Sequence, residues 1–233
     1  MQVVSLKICP FVQRVIAQLA ARDVEHEVTY IEGGERPGWF LDLSPHGQVP
    51  VLVTDDGVSL FESDAIVEWI DETQGPLRPG LSPEERAHER AWSYLATKNY
   101  LVQCSAQRSP TRATLTERSE KLERAFDTIE EKLGKGPFFG GGEVGLVDVA
   151  WLPLLHRSDI IERKTGHDFL GDRSKLSSWR ERLMGTALVE ASVAPDFEDV
   201  FSAFYLSEET FLGRGEDVAS ASSSSAPKTS RCG

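Results

Sequence analysis

The sequence predicts an α/β region at the amino-terminal end of the chain, followed by an all-helical region. Short apolar runs at Val3 to Leu6 and at 25–31 flank an apolar-periodic segment that begins at Pro10, which is typical of a βαβ unit. From about residue 82 onward, apolar residues recur at helical spacing. The predicted fold class is therefore an α/β domain followed by an all-α domain.

The α/β region continues with a hairpin and a helix. The first helix is predicted from Pro10 to about Arg22. In "VPVLVTDDGVSLFES", two strand-like runs are joined at 55–57, where glycine readily adopts the positive φ of a hairpin turn. A helix is predicted from Ser63 to Glu72, with Ser63 as its N-cap. Its expected buried residues are Ile66, Trp69 and Ile70.

A linker and a series of helices are predicted next. "TQGPLRPGL", residues 73–81, has two glycines and two prolines and is expected to join the two regions. Ser82, Pro83 and Glu85 form a capping-box pattern with proline at the first helical position, which predicts a helix to about Gln107. Further helices are predicted over 113–133, 146–158, 175–185 and part of 196–212, the first with a buried stripe of Leu115, Leu122, Phe126, Ile129 and Leu133. Residues 215–233 are serine-rich with little to bury, and they predict a disordered tail.

Composition limits the partners of the protein. Lys and Arg number 25 against 37 Asp and Glu, a net charge of −12, which disfavours nucleic acid and anionic membrane surfaces. The expected ligand is therefore small. Five scattered histidines show no metal-ligand spacing, so no metal is expected.

Cysteine usage and the chain start suggest a cytoplasmic protein. Cys9, Cys104 and Cys232 are too few and too scattered for a disulfide scaffold, which favours a reducing compartment. "MQVVSLKICPF" lacks the features of a secretory signal, and nowhere do eighteen apolar residues run together. We therefore expect a cytoplasmic location.

Cys9 is the residue most suggestive of chemistry. Because Pro10 suits the first position of a helix, Cys9 is expected at or next to the N-cap, where unpaired backbone N–H groups favour a thiolate and lower a cysteine pKa from its usual ~8.5. The alternative is a small buried apolar residue. Val12 stands where a Cys-x-x-Cys motif would have its second sulfur, so an intramolecular disulfide is not expected and an external thiol must release whatever Cys9 captures.

Three segments carry a family resemblance. "KICPFVQRV", "RPGWFLDLSPHGQVPVLV" and "FESDAIVEWIDE" resemble the thioredoxin-like domain of cysteine-type glutathione transferases, especially the omega class and plant dehydroascorbate reductases. "FFGGGEVGLVDVAW" extends a weaker resemblance to about residue 212. The resemblance implies a thioredoxin-like, glutathione-binding domain at 1–73 and an all-helical domain at 82–212.

The resemblance also implies a glutathione site. Pro50 matches the family's cis-proline, which holds the backbone of Val49 open for the cysteinyl part of glutathione. Glu62 would take the α-amino group, Ser63 the γ-glutamyl carboxylate, and Arg36 the glycyl carboxylate. Without the resemblance, Pro50 indicates an edge strand, Ser63 a helix cap and Arg36 a surface charge.

The activity implied is glutathione-dependent thiol transfer or reduction. Cys9 would attack a glutathionylated substrate or an electrophile such as dehydroascorbate, and the mixed disulfide of Cys9 with glutathione would be resolved by a second glutathione. Glutathione and a small electrophilic or disulfide substrate are the expected partners. A glutathione lyase and a non-catalytic binding protein are the alternatives. A homodimer is one of two expected assemblies, because omega-class proteins pair while the plant reductases are usually monomers.

Two other patterns have simpler interpretations. Gly140, Gly142 and Gly145 match G-x-G-x-x-G without a surrounding βαβ unit, so they predict a glycine-rich turn. In the resembling family, Ser or Thr replaces Gly145 and pairs with Asp148, so half of that helix cap is expected to be missing. Cys104 is expected to pack in the second domain.

The long helix that contains Cys104 is expected to line part of an interdomain cleft. Its aromatic residues, if they are not core, could contact the second substrate; they are Trp92, Tyr94 and Tyr100.

Overall fold

The computed structural model describes residues 1–32, 34 and 36–218. Its four strands are β1 (Gln2–Ser5), β2 (Glu27–Tyr30), β3 (Val51–Val53) and β4 (Ser59–Phe61). They form one sheet of order β2-β1-β3-β4, in which β1 and β2 are parallel and the other neighbours antiparallel. Val3 of β1 lies opposite Val28 of β2 and Leu52 of β3. The predicted strands and hairpin are confirmed, with β1 shifted by one residue and β2 shorter than the predicted 25–31.

Ten helices lie in the described part of the chain. They are α1 (Pro10–Ala20), α2 (Gly38–Leu43), α3 (Ser63–Gln74), α4 (Pro83–Gln107), α5 (Arg112–Lys132), α6 (Leu146–Thr165), α7 (Ser174–Met184), α8 (Leu188–Ala191), α9 (Phe197–Tyr205) and α10 (Phe211–Arg214). The sequence did not predict α2 or α8, and it predicted α6 to end at 158. None of these helices combines the length and the apolar composition needed to cross a bilayer.

Helix α1 lies at the junction of the two regions. Almost all of its residues are buried, which means that it is covered on more than one face. One face packs with the sheet and α3 through Val12, Val15 and Ile16. Another contacts α6 and α8. On the opposite side of the sheet, Phe40 of α2 packs with Val4 and Val51. The loop that precedes α1 is therefore held where the two regions meet.

The capping box at α4 is confirmed. The Ser82 hydroxyl accepts a hydrogen bond from the Glu85 N–H at 3.2 Å, and the Glu85 carboxylate accepts one from the Ser82 N–H at 2.8 Å. These bonds satisfy two of the unpaired donors at the helix start. The helix ends at Gln107 as predicted, and the predicted stripe of α5 is buried throughout.

Helix α6 forms the centre of the helical region. It continues past the predicted end because Ile160 and Ile161 are fully buried, and it stops at Gly166, whose left-handed backbone ends the helix. At its start, Gly145 is the N-cap. As expected, only the Asp148 half of the cap is present: the carboxylate accepts a hydrogen bond from the Gly145 N–H at 2.8 Å.

Residues 215–218 are the described part of the predicted tail. The Val218 N–H donates to the Pro110 carbonyl at 2.8 Å, and the Arg112 N–H donates to the Asp217 carboxylate at 2.7 Å. These bonds attach residues 217 and 218 to the segment at the start of α5. The rest of that segment, 219–233 with Cys232, lies outside the described residues.

Candidate active site

A cleft of about 220 Å³ opens beside the start of α1. All six residues assigned to the site from the sequence line it: Cys9, Arg36, Val49, Pro50, Glu62 and Ser63. Leu101 and Cys104 of α4 and Tyr205 of α9 line it from the helical region. The cleft thus lies between the α/β region and the helical region, as the resemblance implied.

Cys9 occupies the N-cap position of α1, as predicted. Its backbone is extended, with φ −77° and ψ 121°, and its carbonyl accepts the first helical hydrogen bond from the Gln13 N–H at 3.1 Å. The backbone N–H groups of Phe11 and Val12 lie near the sulfur and lower the pKa of the thiol, although Cys9 makes no side-chain cap hydrogen bond. The unpaired donors of the helix start are therefore directed at the thiol.

The prediction of a lowered Cys9 pKa is wrong for this structure. Burial raises the pKa of the Cys9 thiol to about 11, although the amides of Phe11 and Val12 and the positive charge of Arg157 act in the opposite direction. Part of the residue surface is open to the cleft, but the sulfur lies among apolar neighbours that favour the neutral thiol. At neutral pH the ligand-free protein therefore holds Cys9 mainly as the thiol.

Arg157 of α6 is a site residue that sequence reasoning missed. It is fully buried, and its Nη2 donates to the Ile8 carbonyl, next to Cys9, at 3.1 Å. Its Nη1 donates to the Pro153 carbonyl at 3.0 Å and to the Gln13 side chain. In the sequence it is one basic residue in a helix, and nothing there indicates that it points inward.

The Val49–Pro50 peptide bond is cis, as the resemblance implied. Pro50 is buried and lies just before β3. Within the described part of the chain, the Val49 backbone forms no hydrogen bond. The Val49 N–H and carbonyl are thus available at the edge of the cleft.

Glu62 and Ser63 form the start of α3, where the helix cap lies one residue earlier than predicted. Glu62 is the N-cap and its carbonyl accepts from the Ile66 N–H at 2.9 Å, so the prediction of Ser63 as N-cap is wrong by one residue. Glu62 has φ 65° and ψ 114°, a sparsely populated conformation for a residue with a side chain. This backbone turns the chain from β4 into α3 and leaves the Glu62 carboxylate exposed at the cleft.

Ser63 is the first residue of α3 and is largely buried. The following residue, Asp64, also lines the cleft and is ion-paired with the buried Arg14 of α1. This pair links the starts of α1 and α3. The cleft therefore faces the amino-terminal ends of two helices, which favour bound anions.

Arg36 enters the cleft from the segment before α2. Its Nε donates to the Gly47 carbonyl at 2.6 Å, which ties the side chain to the loop before Pro50. Gly47 has φ 60°, a conformation that glycine adopts readily. Arg36 is partly exposed and contributes a positive charge to this end of the cleft.

The aromatic residues considered for substrate contact do not line the cleft. Tyr100 is fully buried and its hydroxyl donates to the Ala150 carbonyl, while the Tyr94 hydroxyl donates to Glu68 at 3.1 Å. The Trp92 ring instead contacts the Phe139 ring at a tilted angle, with the ring centroids 5.8 Å apart. Leu101 and Cys104 line the cleft in their place. These two residues are three positions apart on α4. Among the described residues, no three His, Cys, Asp or Glu side chains are grouped as metal ligands.

Comparison with known proteins agrees with this architecture. Residues 8–73 match the family model described as glutathione S-transferase, N-terminal domain, and 112–182 match glutathione S-transferase, C-terminal domain. A Drosophila melanogaster protein named pyrimidodiazepine synthase is 31% identical over 206 residues, covering 83% of this chain and 82% of the relative. The chain belongs to the glutathione transferase family.

Other relatives of this glutathione transferase carry omega and DHAR names. Glutathione S-transferase omega-1 of Sus scrofa is 28% identical over 209 residues, covering 88% of this chain and 86% of the relative. A probable DHAR1 of Oryza sativa, described as cytosolic, is 29% identical over 177 residues, covering 75% and 79%.

Solved structures share the fold. Glutathione transferase Omega 3C of Trametes versicolor aligns with a TM-score of 0.70 at 21% identity, covering 83% of this chain and 88% of that one. Rice GST1 in complex with glutathione aligns with a TM-score of 0.72 at 24% identity, covering 91% and 94%. The predicted fold, a thioredoxin-like domain followed by an all-helical domain, is confirmed.

Proposed function

We propose that this glutathione transferase carries out glutathione-dependent thiol transfer through a mixed disulfide between Cys9 and glutathione. One observation supports this above the others. Cys9 stands at the N-cap of α1, with two amides directed at its sulfur, in the cleft that also contains Arg36, Glu62 and Ser63. A nucleophilic sulfur and groups suited to a charged tripeptide therefore share one cleft.

The lining residues suit each part of glutathione. We assign the γ-glutamyl carboxylate to the Ser63 hydroxyl and backbone at the start of α3, and its α-amino group to the exposed Glu62 carboxylate. The Val49 backbone would pair with the cysteinyl part, and Arg36 with the glycyl carboxylate. Because the protein carries a net charge of −12, these local donors must attract an anionic ligand against the overall field.

With dehydroascorbate, the Cys9 sulfur adds to a carbonyl carbon and a glutathione thiolate attacks that sulfur, which releases ascorbate and leaves the mixed disulfide of Cys9 with glutathione. With a glutathionylated substrate, the reaction consists of two thiol–disulfide exchanges. The Cys9 sulfur attacks the glutathione sulfur of a glutathionylated substrate, and the substrate thiolate leaves. The thiolate of a second glutathione then attacks that mixed disulfide, which releases oxidised glutathione and regenerates Cys9. Since burial raises the pKa of Cys9, the two amides and Arg157 act as the groups that stabilise its negative charge when the proton leaves.

The proposed substrates are small disulfides, glutathionylated thiols and dehydroascorbate. Relatives with omega and DHAR names support this class. We also propose a cytoplasmic location, which fits the scattered cysteines and the rice relative described as cytosolic.

The raised Cys9 pKa favours one second candidate, conjugation of glutathione to electrophiles. A neutral Cys9 thiol can donate a hydrogen bond to the thiolate of bound glutathione instead of attacking it. Serine in place of Cys9 would donate the same bond. The two functions therefore differ in how they respond to Cys9→Ser.

The test is glutathione-dependent reduction of hydroxyethyl disulfide and of dehydroascorbate, measured side by side for wild type, Cys9→Ser and the control Cys232→Ser. Thiol transfer predicts that Cys9→Ser loses both activities by at least about 100-fold, because serine forms no mixed disulfide. The control retains both. If Cys9→Ser instead keeps a glutathione-conjugating activity equal to wild type and neither protein reduces disulfides, the function is conjugation.

A further inference from the structure

The helical side of the cleft holds a second thiol. Cys104 lies one turn after Tyr100 on α4, so the two side chains share a face of the helix. The Phe11 ring packs edge-on against the Tyr100 ring, with centroids 5.0 Å apart, and Phe11 is two residues after Cys9. This contact places the Cys104 face of α4 against the start of α1. Cys9 and Cys104 accordingly line the same cleft, and neither is in a disulfide.

The two thiols also share a buried cation. Arg157 is fully buried, and within the described residues it forms no salt bridge with a carboxylate. Its Nε has no hydrogen-bond partner there. A buried guanidinium without a counter-ion is costly, and the groups that interact with its charge include Cys104 and Cys9. A thiolate on either cysteine would supply the missing negative charge.

The ionisation of Cys104 changes the pKa of Cys9. A thiolate at Cys104 raises the pKa of Cys9, while Arg157 lowers it. A cluster of two thiols around one guanidinium therefore favours one thiolate and one neutral or disulfide-bonded sulfur over two thiolates. Such an arrangement suits a sulfur that attacks a disulfide at its neighbour.

We propose that Cys104 is the resolving thiol for Cys9, so that the glutathione adduct on Cys9 is released within the protein. This rests on the proposed function, because it requires that adduct. The Cys104 thiolate attacks the Cys9 sulfur, the bond between Cys9 and glutathione breaks, and glutathione leaves as its thiolate. A Cys9–Cys104 disulfide remains.

Glutathione then returns the protein to its dithiol form. One glutathione thiolate attacks the Cys9–Cys104 disulfide and forms a mixed disulfide, and a second releases oxidised glutathione and the remaining thiol. Over the cycle, one disulfide substrate and one reduced glutathione give the reduced substrate and oxidised glutathione. The absence of a Cys-x-x-Cys motif does not then prevent an intramolecular disulfide, because the second sulfur comes from α4.

The test is incubation of the reduced full chain with excess oxidised glutathione, followed by non-reducing peptide mapping and assay of the reduced glutathione released. Wild type, Cys104→Ser, Cys104→Ala and the control Cys232→Ser are compared. The proposal predicts a Cys9–Cys104 linked peptide and two glutathiones released per chain from these two sulfurs in wild type and in the control. Both Cys104 variants should keep a stable glutathione adduct on Cys9, which accounts for one released glutathione besides any released at Cys232.

Two results would overturn the proposal, and they differ in what they imply for the function. A stable adduct on Cys9 in wild type, with no cross-link and the same release as Cys104→Ser, removes the resolving role and leaves thiol transfer intact. No adduct on Cys9 in either Cys104 variant, with no cross-link in wild type, removes both. The wild-type peptide map does not depend on the folding of any variant.

Discussion

The amino-terminal ends of α1 and α6 begin alike but are completed in different ways. The N-cap residues, Cys9 and Gly145, make no side-chain cap bond. At α6, the buried Asp148 carboxylate accepts from the Gly145 N–H, from the Phe139 N–H at 2.9 Å and from the Trp179 indole at 2.7 Å. At α1, the first amides meet a sulfur that borders the cleft.

The difference separates a structural helix end from a functional one. Burial raises the pKa of both Asp148 and Cys9, so both charged forms are disfavoured by the interior. Three fixed donors compensate Asp148 and join α6 to α7 and the preceding turn. At Cys9, the nearby amides only partly offset the effect of burial on the thiolate, and the residue is partly exposed to the cleft. A group that must react with a ligand and then be released requires both features.

The largest expected effect is the change in the alkylation rate of Cys9 with pH. Because the thiolate is the nucleophile and burial raises the pKa of Cys9 to about 11, its alkylation rate should rise with pH. Between pH 7 and 10 we expect an increase of roughly a thousandfold, about tenfold per unit. The measurement is iodoacetamide labelling of the ligand-free Cys104→Ser/Cys232→Ser protein. A rate that levels off below pH 8 would contradict the raised pKa, because it would show that the amides at the start of α1 offset the effect of burial on the Cys9 thiolate.

Removal of the Asp148 carboxylate should affect stability most. Asp148→Ala leaves two buried donors and one partly buried donor without an acceptor, and the free energy of unfolding should fall by about 3 to 5 kcal/mol. Urea denaturation measures this, with the exposed Asp172→Ala as the matched control. Cys9→Ala should cost about 1 kcal/mol or less. Equal losses for Asp148→Ala and Cys9→Ala would contradict the distinction between the two helix ends.

Glu62 at the start of α3 extends the comparison to ligand binding. Glu62→Gln removes the charge proposed to hold the α-amino group, and the affinity for reduced glutathione should fall about tenfold, the equivalent of ~1.4 kcal/mol. Isothermal titration checks this. Glu72→Gln, which removes the same charge from an exposed position near the other end of α3, should change the affinity little. Identical affinities for the two variants would argue against a binding role for Glu62.

Restoring the missing hydroxyl at α6 should have the smallest effect. Gly145 has φ −124°, which serine adopts without strain, and the added Cβ would approach the flexible Arg78 side chain at 3.0 Å. Gly145→Ser should raise the free energy of unfolding by a few tenths of a kcal/mol, roughly the difference between these residues at an N-cap. A loss of stability in thermal or urea unfolding would mean that Arg78 cannot move aside.

Local sequence patterns predicted much of the fold because the signals are themselves local. The capping box at Ser82 and the apolar stripe of α5 depend on neighbouring residues, and both are confirmed. Helix α2 escaped prediction because it is six residues long and buries only Phe40, too little for a periodicity. Helix α6 was predicted too short because the burial of Ile160 and Ile161 is decided by packing.

The candidate site also has features that the sequence predicted and features that depend on tertiary packing. The local pattern before Pro10 predicted Cys9, and the resemblance supplied the five other predicted residues that line the cleft and the cis bond before Pro50. The pKa of Cys9 could not be predicted, because it depends on neighbours that are distant in sequence. Arg157 and Cys104 escaped for the same reason, since only the packing of α4 and α6 against α1 brings them to the sulfur.

The measurement that tests the central claim most directly is the mass of a protein whose sole thiol is Cys9. The Cys104→Ser/Cys232→Ser protein is incubated with oxidised glutathione and its intact mass is measured by mass spectrometry. The mass is measured again after reduced glutathione is added. The account predicts one glutathione on the peptide that contains Cys9, removed by reduced glutathione. A folded protein that gains no adduct would contradict it.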